Sequence, residues 1–268
     1  MDLGLSDRVI LVTGGAQGIG RAIAEALANE QAVPMIIDRD ADAATETCRS
    51  IESVGGRAYS VVAELTHPSE CACAVDKVIH KFGRIDSLVN NAGINDRVGL
   101  SDGTADAFVE SLRRNLVHYF EMTRLVLPEL KRNRGAIVNI SSKVAETGQG
   151  GTSAYAAANG GRNALTREWA VELAPFGIRV NAVIVAECFT TMYARWINSR
   201  PDPEASRRRI EERIPLGQRM TTPEEIASVV VFLLSALSSH TTGQLIHVDG
   251  GYVHLDRTHD LRTAAGGL

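Results

Sequence analysis

The sequence predicts an α/β chain: a single domain over residues 1–268, built as a doubly wound, seven-stranded parallel sheet with helices on both faces. Three observations predict it. Strand-like and helix-like runs alternate along the chain. Several strand-like runs are apolar throughout, as strands buried on both faces are. The first of them leads through the glycine-rich turn Thr13-Gly14-Gly15-Ala16-Gln17-Gly18-Ile19-Gly20 into a helical run.

The strand candidates are residues 9–13, 33–38, 57–63, 87–90, 135–140, 179–184 and 244–249. Each is short and rich in Val, Ile and Leu or closes on a turn signal. Helical periodicity covers residues 21–29, 40–53, 68–82, 104–133, 152–174 and 223–235. The alternation breaks at residues 190–216, where Pro201-Asp202-Pro203 separates two helical patterns at 191–198 and 204–213. An insertion there, before the last helix–strand unit, is expected to form a substrate lid. The tail from about residue 258 is expected to be mobile.

Composition excludes several classes. Lys plus Arg is 28 against 32 for Asp plus Glu, so no basic excess points to nucleic acid. The run Arg207-Arg208-Arg209 reads as a solvated helix face. No apolar stretch is long enough to span a bilayer and the N-terminus lacks a signal-peptide pattern, so a cytoplasmic protein is expected. Cys48, Cys71, Cys73 and Cys188 lack metal-type spacing and are expected as reduced thiols. The histidines are scattered without ligand spacing, so no metal site is expected.

The glycine turn has the chemistry of a dinucleotide site. Gly14 permits a tight turn, Gly18 lets backbone approach a pyrophosphate, and Gly20 lets the helix pack closely on the sheet. Gln17 and Ile19 sit between them, where a helix start offers unpaired N–H groups to phosphate. Asp38 ends the second strand, where a carboxylate accepts ribose hydroxyls and repels a 2′-phosphate. Arg39 follows it and could instead pair with such a phosphate. The expected cofactor is NAD rather than NADP.

Ser142, in Asn139-Ile140-Ser141-Ser142, lies thirteen residues before Tyr155, and Tyr155-Ala156-Ala157-Ala158-Asn159 opens a helical run. With the turn before them, these residues resemble the short-chain dehydrogenase/reductase family, whose fold is Rossmann-type. Further matches are ordered along the chain: Glu64-Leu65 after the third strand, Asn90-Asn91-Ala92-Gly93 after the fourth, and Asn115 in a helix. The resemblance implies that Tyr155 takes the proton of a substrate hydroxyl, that Ser142 holds the substrate oxygen and that Asn115 holds a water. It implies cofactor contacts at Glu64, Leu65, Asn91, Ala92 and Gly93. It also implies contacts from the strand end at Val185 and from Thr190 to the carboxamide. It implies assembly as a homotetramer or homodimer through the helices at 108–133 and 152–174.

The chain departs from the family at Asn159, where the pattern has a Lys that binds the nicotinamide ribose and lowers the Tyr pKa. An unperturbed tyrosine titrates near 10. A cation about 5 Å away, at an effective dielectric of about 20, contributes roughly 3 kcal/mol. A neutral amide cannot supply that, although it can hydrogen-bond a ribose hydroxyl, and turnover near neutral pH is expected to be impaired. Two nearby cations could stand in: Lys143, directly after Ser142, and Arg162, seven residues after Tyr155 on the same helix face. A second departure is the missing Pro-Gly after the sixth strand, which reads Val185-Ala186-Glu187.

Family geometry places Asn95, Asp96, Lys143, Gln149 and Glu187 near the substrate, with Trp196 in the lid. Such donors and acceptors suit a sugar or polyol better than an apolar ligand. The segments 139–143, 147–150, 166–170 and 248–257 are similar to bacterial L-fucose dehydrogenases, which implies oxidation of the anomeric carbon of L-fucose or a related aldose. The other expectation is a catalytically silent NAD-binding homologue acting as a sensor or oligomer partner.

Overall fold

In the computed structural model, which describes residues 2–255, seven strands form one parallel sheet. In chain order the elements are β1 (Val9–Thr13), α1 (Gly18–Asn29), β2 (Val33–Asp38), α2 (Ala41–Ser53), β3 (Tyr59–Val62), α3 (Pro68–Phe82) and β4 (Ser87–Asn90). There follow α4 (Ala105–Leu112), α5 (His118–Asn133), β5 (Ala136–Ser142), α6 (Ser153–Leu173), β6 (Arg179–Val185), α7 (Thr191–Asn198), α8 (Pro203–Glu211), α9 (Pro223–Leu234) and β7 (Leu245–Val248). The tail expected from about residue 258 lies outside the described residues.

The sheet order is β3-β2-β1-β4-β5-β6-β7. Strand order therefore reverses between β1 and β4, and the crevice beyond the carboxyl ends of those two strands is where such sheets bind ligands. Successive residues of a strand face opposite sides, and the two cores follow that alternation. Leu11, Leu88, Ile137 and Val180 pack on one face with Val78, Tyr119, Met122, Val126 and Trp169 of α3, α5 and α6. Ile10, Val12, Val89, Val138 and Val183 pack on the other face with Ile23, Leu27, Ile226, Val230 and Leu233 of α1 and α9. The apolar strand runs are thus explained by burial on both sides.

Two differences from the sequence pattern bear on function. The fifth strand extends to Ser142, which pairs with Val185 of β6, so both residues stand at the sheet's carboxyl edge. The periodic run 104–133 is not one α-helix. It contains a π-turn at Arg113–Val117, and Asn115 sits inside it, fully buried. A widened turn does not disturb hydrophobic spacing on either side, so periodicity cannot reveal it.

The N-terminal end of the sheet is pinned by Asp86. Its carboxylate is 2% exposed, accepts the Val9 N–H at 2.8 Å, and pairs with Arg8 and Arg84. This holds β1 against β4 and so sets the register of the two strands that carry the crevice. Asp86→Ala leaves a buried N–H without an acceptor and is expected to lower stability by about 2–3 kcal/mol, read as a reduced urea midpoint at unchanged m-value.

Candidate active site

A cleft of about 1000 Å³ opens at the β1–β4 switch point and runs to helices α7 and α8. At one end it is built by glycine. Gly14 has φ +62°, and a Cβ on it would come within 2.9 Å of the Ala92 backbone. A Cβ on Gly20 would lie 2.0 Å from the Gly14 carbonyl oxygen. Close approach of the turn to both β4 and its own helix thus excludes any side chain. Helices α2, α4, α7, α8 and α9 each have a side-chain cap. Helix α1 has none, and no acidic residue in its first turn. Its N–H groups and dipole face the cleft unopposed, which fits the pyrophosphate of a dinucleotide.

The carboxyl end of β4 is tied to this turn. Asn91 donates from its side chain to the Thr13 and Gly14 carbonyls at 3.0 Å each. The backbone N–H groups of Asn91 and Ala92 donate to the Thr13 hydroxyl. Asp38 accepts from the backbone of Ala16 and of Asp40. Asp40 in turn caps α2 and accepts from Gln17. Arg39 is exposed and pairs with Glu64 at 3.5 Å. Burial pushes the Glu64 carboxyl up, but hydrogen bonds from Thr66 and the Arg39 charge outweigh it and hold it below the usual range.

At the other end, Ser142, Tyr155, Val185 and Thr190 reach the wall. Thr190 also caps α7 by accepting from the Tyr193 N–H. Beside them stands a charged cluster. The Lys143 ammonium donates to one oxygen of Glu187, and the Tyr193 hydroxyl donates to the other. The ammonium also sits 3.7 Å above the Tyr252 ring. Burial, then the Glu187 charge, pushes the Tyr193 phenol far above its ordinary value. Trp196 meets Tyr193 edge-on with ring centroids 5.3 Å apart, and both pack on a small apolar cluster of Ile197, Ile214 and Met220.

Most residues expected at the site meet in this one cleft: Gly14, Gln17, Gly18, Ile19, Asp38, Arg39, Glu64, Leu65, Asn91, Ala92, Gly93, Asn95, Ser142, Lys143, Gln149, Tyr155, Val185, Glu187, Thr190 and Trp196. Four do not reach its wall. Gly20 is buried where α1 packs on the turn. Asp96 turns onto the Ser111 hydroxyl, which donates to it at 2.8 Å. Asn115 lies behind the wall, accepting the Ile94 N–H and donating to the Ser111 carbonyl. Asn159, fully buried, donates to the Tyr155 carbonyl at 2.8 Å and accepts from Arg162 at 3.1 Å. Its amide is therefore already committed within the protein.

Arg162 occupies the wall instead. It is 3% exposed and lies 4.3 Å from the Tyr119 ring. Its Nε donates to the Asn115 carbonyl in the π-turn, and Nη1 donates to the Ile140 carbonyl and to Asn159. Lys143 is likewise no solvated loop lysine but a buried, paired one. Tyr193 and Tyr252 reach this end unannounced by spacing; the signal for Tyr252 is the preceding Gly250-Gly251, both at positive φ, which turns the chain back after β7. Glu146, His247 and His254 also come together, their ligand atoms within 4.8 Å of one another, although they are far apart in sequence. Burial pushes the Cys188 thiol up to about 12 and the Cys71 thiol up to about 11, which suits packing rather than reactivity.

Residues 14–253 match the family model described as enoyl-(acyl carrier protein) reductase. The chain belongs to the short-chain dehydrogenase/reductase family. It is 38% identical to the 3-oxoacyl-(acyl-carrier-protein) reductase FabG of Thermotoga maritima, over 93% of this chain and 99% of that protein. It is 35% identical to the L-fucose dehydrogenase of Oryctolagus cuniculus, over 91% of this chain and 84% of that protein. The solved structure of Cj0485 dehydrogenase is 42% identical, with a TM-score of 0.92 over 97% of this chain and 99% of that one. The family's members are oxidoreductases of CH–OH groups that use a nicotinamide cofactor. Among the described residues no helix is long and apolar enough to cross a membrane.

His118 gives a pH prediction. It lines the cleft, its Nε2–H donates to the Arg114 carbonyl, and its Nδ1 has no partner. Burial, then the Arg162 charge, holds its pKa down to about 3. From about 6.5 down to about 3 the unfolded chain binds a proton that the folded chain does not, so acid favours unfolding across that window. His118→Gln is expected to flatten the loss of stability below pH 6.5 by roughly 1.4 kcal/mol per pH unit, measured by urea unfolding at stepped pH.

Proposed function

We propose that this protein is an NAD-dependent dehydrogenase acting on a hydroxyl of a sugar or polyol, with the anomeric hydroxyl of L-fucose or a related aldose as the favoured target. The observation that carries the reading is the Lys143–Glu187–Tyr193 cluster beside Ser142 and Tyr155. It presents fixed donors and acceptors where the body of the substrate would lie, and Trp196 offers an aromatic face. The similarity to an L-fucose dehydrogenase supports the choice of aldose.

Bound NAD supplies the hydride acceptor. The Gly14–Gly20 turn and the uncapped start of α1 would hold its pyrophosphate, and Asp38 its adenosine ribose. Asp38 favours NAD, because a carboxylate there repels a 2′-phosphate, while Arg39 is drawn towards Glu64. Ser142 would donate to the substrate oxygen and orient it. Tyr155 would take the hydroxyl proton as the C–H bond is broken, which is general base catalysis. Exposed apolar side chains on the helices expected to meet another copy, Val109, Val117, Phe120 and Val171, support a homodimer or homotetramer.

NADH formation with aldoses, polyols and simple secondary alcohols, each with NAD or NADP, tests the reading. Turnover is expected with NAD and an aldose, and Tyr155→Phe is expected to lose about 10²–10⁴-fold in kcat. Turnover confined to simple alcohols, or to 3-oxoacyl thioesters with reduced cofactor, would overturn the substrate class. NAD binding without turnover would leave a silent cofactor-binding protein. Glu187→Gln is expected to raise KM for the aldose by roughly tenfold or more while changing NAD affinity little, because it unpairs Lys143 at the substrate end only.

A further inference from the structure

The cleft contains a buried charge that no acidic group answers among the described residues. Arg162 donates only to neutral acceptors, the carbonyls of Asn115 and Ile140 and the amide oxygen of Asn159. Its remaining nitrogen, Nη2, is buried without a partner. That nitrogen lies 2.8 Å from where a Cβ on Gly93 would be, on the cleft side of the β4 strand end. Burying a guanidinium without a counter-ion is strongly unfavourable. The fold retains one here, compensated in part by the Tyr119 ring 4.3 Å away, and leaves Nη2 free to answer an anion formed in the cleft. Of the other cations of the wall, Lys143 pairs with Glu187, Arg39 with Glu64 and Arg114 with Glu110, Arg200 lies over the Trp196 ring, and Arg97 is exposed to solvent.

We propose that Arg162 is the positioning cation of this active site, supplying from a turn further along α6 the positive charge that the neutral Asn159 does not, and so stabilising the Tyr155 phenolate. This rests on the reading of Tyr155 as the base. Tyr155, Asn159 and Arg162 stand at i, i+4 and i+7, on one face of α6. Arg side chains lean towards the helix N-terminus, which brings the guanidinium back to the level of Asn159. Asn159 links the two, donating to the Tyr155 carbonyl and accepting from Arg162. Both Arg162 and Tyr155 act electrostatically on Tyr119, whose phenol burial pushes far up and whose hydroxyl donates to the Ile140 carbonyl. Of the other titratable groups lining the cleft, the exposed Arg97 keeps its charge in solvent, which screens it, and the buried ones carry no net charge towards this point. His118 and Tyr193 are neutral across the working pH range, and Lys143 and Glu187 neutralise each other.

The test is ultraviolet titration of tyrosinate in the cofactor-free protein, with Tyr155→Phe subtracted to isolate Tyr155. Arg162→Gln is expected to move the Tyr155 midpoint up by about one to two pH units, and Arg162→Lys to move it up as well, because a lysine buried there gives up its proton. Asn159→Lys combined with Arg162→Gln is expected to bring it back down. The rising limb of kcat/KM against pH is expected to shift with the midpoint. A folded Arg162→Gln protein, judged by circular dichroism, with an unmoved midpoint would show a merely structural arginine and overturn the proposal. Should Arg162→Gln fail to fold, Arg162→Met, close in length and apolar, takes its place in the same titration: a raised midpoint supports the proposal and an unmoved one overturns it. The titration needs neither substrate nor cofactor, so a lack of turnover would count against the proposed reaction and not against this role of Arg162.

Discussion

A ladder of buried polar side chains fixes the site. Asn90 at the end of β4 donates to Asn139 of β5 at 3.0 Å and to Thr123 of α5 at 3.2 Å. Asn139 donates to the Thr166 hydroxyl of α6, which donates to the Arg162 carbonyl. These groups are shut off from water by the two-sided burial of the sheet, so their partners must come from inside the protein, and all but the Asn90 Oδ1 find one. That requirement locks the rotation of α6 against β4 and β5. Tyr155 and Arg162 project from the same helix, so their aim at the cleft follows from the ladder, about one turn beyond Arg162 and about three beyond Tyr155. Apolar packing alone would tolerate a small rotation of α6; a chain of directional bonds at about 3 Å does not.

The cleft follows from the same economy of polar groups at the sheet's carboxyl edge. Where the strand order reverses, β1 and β4 pair in parallel through Val12 and Val89, and beyond that point their end groups leave the ladder. Thr13 and Asn91 close the gap by bonding one another's backbone. The glycine turn then folds over β4 with no side chain between. What remains open is a donor-rich strip along the start of α1, continuous with the Ser142 and Tyr155 end. Position in the fold thus explains why the two halves of the site, far apart in sequence, share one surface.

The fold was legible because its signals are local. Two-sided burial writes apolar runs into β1, β2, β5 and β6, and the turn residues of Gly14–Gly20 have no substitute where backbone meets backbone. The cleft's lining was legible where it is set by a main-chain position, as at Asn91, Ala92 and Gly93. It was less so where a side chain chooses between partners. Asp96 stands beside Asn95 in sequence, yet the nearer partner, Ser111, turns it off the wall. Asn159 is drawn inward by the Tyr155 carbonyl and by Arg162. Lys143 and Glu187 were each visible as polar residues, but not as a pair, because 44 residues separate them. The π-turn around Asn115 leaves the periodicity on both sides intact, so only coordinates reveal the carbonyl that it presents to Arg162.

Asn159 and Arg162 are best understood as one arrangement. A lysine buried as deeply as Arg162 would tend to lose its proton, because desolvation disfavours the charged amine. A guanidinium keeps its charge when buried. It also has five N–H donors in a rigid plane, enough to satisfy the Asn115, Ile140 and Asn159 oxygens and still leave Nη2 for the cleft. Those acceptors are specific to it: the first needs the π-turn, and the third needs an amide rather than an ammonium at position 159. A lysine at 159 in this background would place a second cation against Nη1 and remove that acceptor. The neutral amide at 159 thus supplies one of the acceptors on which the buried arginine at 162 depends.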